Sequence, residues 1–151
     1  MQIRAICVTS NNVSDAAVIP DLLDQLPQDE KFESLTGDGA YDTKQVYEAV
    51  IEHGATAIIP PRRNARIRKG KAFAHRNAAI AACKRLGRGI WKAWSGYHRR
   101  SLVETKMNCI KRLGERVMAR SFESQVNELH IRAAILNRFT ELGRPQTVAV
   151  A

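Results

Sequence analysis

The sequence predicts an α/β fold whose C-terminal half is mostly helical. Over residues 1–60, short apolar stretches alternate with stretches of helical periodicity. Beyond them only helical patterns follow, ending in a long apolar repeat. With 151 residues and a hydrophobic fraction of 44%, the chain is the size of one domain and can bury a real core.

The elements follow in order. Ile3–Val8 reads as a strand. Asp15–Leu26 reads as a helix with Ser14 as its N-cap candidate, and Pro20 inside it delays its start. Phe32–Thr36 is the second strand. Asp42 with Gln45 three positions on is a capping-box pattern. It opens a helix over Thr43–His53, with Val46, Tyr47, Val50 and Ile51 on one face and Gly54 as its stop. Thr56–Ile59 is a third strand. A basic loop spans 61–76, a helix covers Arg76–Leu86, and another covers Gly96–Leu113. Trp91 and Trp94 precede it and are expected to pack on the sheet, the other use being to stack on bases. Phe122–Leu142 closes the pattern, with Phe122, Val126, Leu129, Ala133 and Leu136 at i, i+4, i+7, i+11 and i+14. That face is expected to be core rather than a partner contact. A strand/helix half (1–60), the basic loop (61–76), a helical half (77–143) and a tail (144–151) make one domain.

Composition excludes several classes. Cys7, Cys83 and Cys109 are an odd set without paired ligand spacing, which suits a reducing cytoplasm and not a disulfide framework. His53, His75, His98 and His130 form no zinc-binding pattern. No apolar run approaches the roughly 18 residues of a membrane helix, and residues 1–10 turn polar too soon for a signal peptide.

Charge is divided unevenly. Residues 1–60 carry three cations against ten acids, whereas residues 61–151 carry 21 cations against five acids. A half with that excess calls for a polyanion, most commonly nucleic acid. Arg62, Arg63, Arg66, Arg68, Lys69, Lys71 and Arg76 fall in one acid-free run. The run reads as a solvated mobile loop or as one that tracks phosphates.

Two motifs carry chemistry. Tyr97, Arg100, Glu104 and Lys111 have the spacing Y-x2-R-x3-E-x6-K. On one α-helix they fall at about 0°, 300°, 340° and 320°, a single stripe, with Leu102, Cys109 and Leu113 opposite on a face suited to burial. A solvated polar face with an i,i+4 Arg100–Glu104 pair is the plain alternative. Gly37-Asp38-Gly39-Ala40-Tyr41-Asp42 follows the second strand. Asp42 has a structural use as N-cap, whereas Asp38 stands where a strand ends, a place where functional groups collect in α/β sheets. A turn aspartate beside glycine is the other reading of Asp38.

Both motifs resemble those of DDE transposases from bacterial insertion sequences. The fifteen-residue segment from Tyr97 matches their Y-x2-R-x3-E-x6-K signature at all four positions, and Gly37–Asp42 resembles their D-G-x-Y-D block. Met1–Thr9 followed by Asn11–Asp15 resembles the family's strand-to-helix segment and Ala57–Arg62 the strand and basic loop after the second aspartate, so the likeness covers nearly the whole chain. It implies a ribonuclease H-like fold and DNA transposition by metal-dependent phosphodiester cleavage and strand transfer at transposon ends. It implies Asp38 and Glu104 as catalytic acids and ligands of Mg²⁺ or Mn²⁺. Tyr97, Arg100 and Lys111 would contact double-stranded DNA beside the cationic loop residues Arg62, Arg63, Arg66, Arg68 and Lys69. A nucleoid-associated protein is the matching location. The family's first catalytic aspartate lies on a strand upstream of the segment beginning at Met1, and no Asp or Glu precedes Asp15. The expectation is therefore a catalytic domain truncated at the N-terminus, inactive alone, self-associating through an unpaired strand edge. A non-catalytic DNA-binding remnant or regulator is the alternative within the family, and a basic RNA-binding protein the alternative outside it.

The charge division makes a direct prediction. Duplex DNA binding should weaken steeply with salt, because each neutralised phosphate releases counterions. Fluorescence anisotropy at two salt concentrations checks it; charge reversal within residues 62–71 should weaken binding to all sequences alike. Salt-independent binding, or none at low salt, removes the nucleic-acid reading.

Overall fold

A computed structural model describes residues 2–143 except Asn11; the expected tail at 144–151 lies outside the described residues. The described residues form six α-helices and two strands: α1 Ile19–Asp24, β1 Ser34–Thr36, α2 Lys44–Glu52, β2 Thr56–Ile58, α3 Ala74–Leu86, α4 Arg88–Trp94, α5 Ser101–Arg112 and α6 Phe122–Leu142. Short 3-10 turns fall at Gly39–Tyr41, Lys71–Phe73 and Tyr97–Arg100. The chain divides into two compact units, Cys7–Ser101 and Met1–Ile6 with Leu102–Ala151.

In the first unit, β1 and β2 are parallel, with Ser34 opposite Thr56, Leu35 opposite Ala57 and Thr36 opposite Ile58. Parallel strands need a crossover, and α2 supplies it. Thr43 caps α2: its backbone is extended and its hydroxyl accepts the Val46 N–H at 3.5 Å. The 3.6-residue repeat then turns Val46, Tyr47 and Val50 inward until each is at most 1% exposed. Ile19 and Leu23 of α1, Ala57 and Ile59 around β2, and Phe73 complete this core. Gly54 stops α2 at φ +67°. The result is a mostly helical mixture with a small parallel sheet, compatible with an α/β fold.

Several expectations change. Residues 3–8 form no strand, and the only ladder among the described residues joins β1 to β2. Backbone polar groups need partners wherever water is scarce. In the second unit the side chain of Asn137 meets that need at Ile3, accepting its N–H and donating to its carbonyl, each at 2.7 Å. α1 begins at Ile19 rather than Asp15, and its N-cap position is Val18 rather than Ser14, with no side-chain cap. Pro20 sits in its first turn, where a missing N–H costs nothing. β1 is two residues shorter than expected. α4 has no counterpart in the sequence reading, because Gly87 at φ +87° ends α3 and makes the following stretch look like a break. Between Gly96, left-handed at φ +75°, and Ser101 the chain is a 3-10 turn, so the segment 96–113 is not one α-helix.

The second unit holds most of α5 together with α6. Ser121 caps α6 by accepting the Ser124 N–H. Glu128 accepts the N–H groups of Met118 and Ala119, and Arg132 donates to Glu128 and to the carbonyls of Gly114 and Arg116. Burial raises the Glu128 pKa, but these donors outweigh it and hold the carboxyl below its usual range. The apolar face of α6 is only partly core. Ala133 and Leu136 are buried, Val126 and Leu129 are half-buried, and Phe122 is exposed. No helix of the described residues is long and apolar enough to cross a membrane.

The core around α2 predicts a graded loss of stability. Ile59 is 1% exposed, so Ile59→Ala should cost about 2–5 kcal/mol and Ile59→Val about 0.5–1.5. Urea unfolding of the two variants checks the order; equal, small losses would show that the position is not packed.

Candidate functional site

Asp38 stands just past β1. Gly37 extends the ladder by donating to the Ile58 carbonyl at 3.3 Å, and a Cβ on Gly37 would meet the Tyr41 ring at 3.0 Å. Glycine is therefore what lets Tyr41 fold back over the strand end. The Asp38 backbone is extended, and one carboxylate oxygen accepts the Ala40 N–H at 2.8 Å, capping the turn Gly39–Tyr41. The turn role is thus real. The other oxygen accepts from the Arg100 guanidinium at 3.3 Å. These side chains are 40% and 36% exposed, so solvent screens the pair and its worth to stability is about 0–1 kcal/mol. Its content is positional: residues 62 apart, one from each motif, meet. Burial pushes the Tyr41 phenol up, Asp15 and Asp38 add to that, and Arg100 opposes it.

Asp42 does not cap α2. Thr43 occupies that position, and Asp42 is buried. Its oxygens accept from the Arg76 guanidinium at 2.6 and 3.4 Å, from the Tyr47 hydroxyl at 3.2 Å and from the Arg62 N–H at 3.2 Å. Arg76, expected among the phosphate-tracking cations, is instead 4% exposed and also donates to the Arg66 carbonyl at 2.7 Å. Asp38 thus caps a turn, as one of its two readings had it, and Asp42 anchors the core instead of capping α2. Burial raises the Asp42 pKa, but Arg76, the Arg62 N–H and Tyr47 together outweigh it and hold the carboxyl below its usual range.

The basic loop is pinned at its backbone. Asp42 takes the Arg62 N–H and Arg76 takes the Arg66 carbonyl. Asn77 clasps Arg68, accepting its N–H at 3.1 Å and donating to its carbonyl at 2.7 Å. Arg88 donates to the Pro61 carbonyl. The Arg68 guanidinium lies 5.5 Å from the centre of the Phe73 ring, within cation–π range. The side chains of Arg62, Arg63, Arg66, Arg68 and Lys69 remain exposed. A held backbone with cationic side chains facing water differs from a solvated mobile loop. Neither Asn77 nor Arg88 carried a sequence signal, since each acts through the backbone of a residue far along the chain.

The second motif divides. Tyr97 and Arg100 belong to the 3-10 turn of the first unit, and Glu104 and Lys111 lie exposed on α5 in the second. A single wheel therefore does not describe all four. α5 buries none of its residues: Leu102 is 49% exposed and Cys109 only half-buried, while Leu113 just beyond it is 40% exposed. Tyr97 packs against Trp91, ring centres 6.0 Å apart, and Lys92 lies 5.1 Å from its ring centre. Trp91 and Trp94 both line an apolar cavity with Thr56, Ala57 and Ile58 around β2; Trp91 is buried and Trp94 is 77% exposed.

Asp38 fits a divalent cation as one hard, half-exposed carboxylate, and Mg²⁺ is commonly held through one or two carboxylates with water and phosphate. Among the described residues no three His, Cys, Asp or Glu side chains gather around one point.

The Asp42–Arg76 pair predicts an acid limb in stability. Folded Asp42 binds its proton more weakly than unfolded Asp42. Its contribution is full above the unfolded pKa of about 3.9 and is lost as pH falls through the lower folded value. Urea midpoints should therefore fall below about pH 4, and less so in Asp42→Asn. Arg76→Met, which strands a buried carboxylate, should cost about 3–5 kcal/mol at pH 7. A cost below 1 kcal/mol would show that Asp42 is not held as described.

No solved structure matches the chain. The family described as the transposase DDE domain matches residues 1–138, nearly the full length and both motif regions. A match of that extent settles the family: the chain belongs to the transposase DDE domain family.

Proposed function

We propose that the chain is the DNA-strand-transfer part of an insertion-sequence transposase of the group with the Y-x2-R-x3-E-x6-K signature. The family speaks for DNA transposition in general. The observation that carries the finer reading is the Arg100–Asp38 contact, in which the second motif meets the first at a strand end. On this reading the fold is ribonuclease H-like, its strand/helix half, basic loop and helical half forming one domain with double-stranded transposon ends as substrate.

Asp38 and Glu104 are the proposed catalytic acids, offered to Mg²⁺ or Mn²⁺. The ion, when bound, polarises a phosphodiester and activates the attacking hydroxyl. The protein's own residues do the rest. Phosphoryl transfer depends mainly on positioning and on charge placed where it develops. Arg100, a half-buried fork beside Asp38, suits bidentate contact with a phosphate. Tyr97 is braced by Trp91 and Lys92 and supplies a hydroxyl beside that phosphate. Lys111 and the pinned cations Arg62, Arg63, Arg66, Arg68 and Lys69 hold the flanking backbone.

The basic half equally supports a non-catalytic DNA-binding regulator, and one experiment separates the two. Supercoiled plasmid carrying an insertion-sequence end is incubated with Mg²⁺ or Mn²⁺, and nicking is followed beside binding. The chain alone is expected to nick little, and any nicking should fall at least about 100-fold in Asp38→Asn and in Glu104→Gln, with binding kept. Nicking that survives either substitution overturns the site. Binding without nicking is shared by a chain inactive alone and by the regulator, and Mn²⁺ binding separates them: weakened in Asp38→Asn and in Glu104→Gln it supports the acid site, and unchanged or absent it selects the regulator.

A further inference from the structure

We infer that a second, separate cavity of the Cys7–Ser101 unit is a binding site for one backbone phosphate of duplex DNA; this rests on the DNA reading above. The cavity, about 360 Å³, is bounded by Pro61, Arg62, Arg63, Ile80, Lys84 and Arg88, with Ala65 and Cys83 completing its wall. Its volume lies within the range of small-ligand sites. Four cations line it and no carboxylate does. Like charges gathered in one concave, partly apolar site raise the local potential and draw an anion. None of Asp38, Tyr97 or Arg100 lines it, so it is not the acid site described above.

Two of its cationic residues are anchored, Arg88 by its side chain and Arg62 by its backbone. Arg88 donates to the Pro61 carbonyl, which fixes the guanidinium at the cavity wall. Arg62 has its backbone N–H held by the buried Asp42 at 3.2 Å. Lys84 comes from the last turn of α3 and is exposed, a point charge on a flexible stem beside the anchored Arg88 fork. Ile80, Ala65 and Pro61 give an apolar wall that suits the face of a deoxyribose. Cys83 in the same wall is half-buried; burial pushes its thiol pKa up, and Arg88 opposes that by charge and hydrogen bond. A ligand seated between Lys84 and Arg88 covers this thiol, which makes Cys83 a reporter of occupancy. Lys84 and Arg88 thereby join the DNA contacts, extending the basic loop's surface onto α3 and α4.

The test uses the full chain with Cys7→Ser and Cys109→Ser, leaving Cys83 as its single thiol. The rate of Cys83 modification by a disulfide reagent is measured alone, with a saturating 20-base-pair duplex, and with inorganic pyrophosphate, while anisotropy follows duplex binding. The expected result is at least a fivefold slowing by the duplex. Lys84→Glu should remove that protection and lower the salt slope of binding by about one. Lys84 is exposed, so the substitution spares the core. Duplex that binds by anisotropy and leaves the Cys83 rate unchanged overturns the site and leaves the DNA reading standing. Protection by pyrophosphate but not by duplex also overturns it, in favour of a free oxyanion. Absence of duplex binding at any salt overturns the DNA reading itself.

Discussion

The buried Asp42–Arg76 pair is the interaction on which the functional surface depends. Removing two charges from water is costly, and such a pair persists only when the remaining polar atoms are met as well. They are met here. Asp42 takes a hydroxyl from the core face of α2, an N–H from the loop after β2 and two guanidinium donors from α3. Arg76 spends its remaining fork on a carbonyl in the middle of the basic loop. Four separate stretches of chain are thus fixed by one carboxylate and one guanidinium. A buried pair of this kind adds little to stability compared with a well-packed apolar pair. It adds geometry that apolar contacts do not specify.

That geometry bears on how an acid-containing site approaches a polyanion. A phosphate backbone is repelled by carboxylates, and cations nearby must offset the repulsion. A loop with a freely moving backbone would lose conformational entropy each time it ordered on DNA. Backbone bonds from Asp42, Arg76, Asn77 and Arg88 order it in advance and leave the cationic side chains in water. The cost of ordering is met in folding, within the same core that seats α2. Arg100 then serves Asp38 from the far end of the unit, where the left-handed Gly96 turns the chain into a 3-10 segment.

The sequence by itself determined the elements that rest on local rules. α6 spans the same residues that its periodicity predicted, and α2 lies within one residue of its expected bounds, with Gly54 as its stop. The uneven charge and the spacing of the two motifs were equally local, and they pointed to the family that the match over residues 1–138 bears out. Tertiary structure decided whatever depends on partners distant in sequence. Asp42 was an N-cap by its neighbours, yet Thr43 supplies a cap of its own, and an arginine 34 residues on claims the carboxylate. Arg76 was one cation in a run of seven, and nothing in the run marks which of them is buried. Residues 3–8 had a strand's composition, but a strand exists only where a neighbour offers a ladder, and the amide of Asn137 answers Ile3 instead. The wheel drawn through Tyr97 and Lys111 assumed one regular helix, and a positive-φ glycine with a 3-10 turn broke that assumption. Periodicity reports which faces a segment can bury; only the folded chain determines what arrives to bury them.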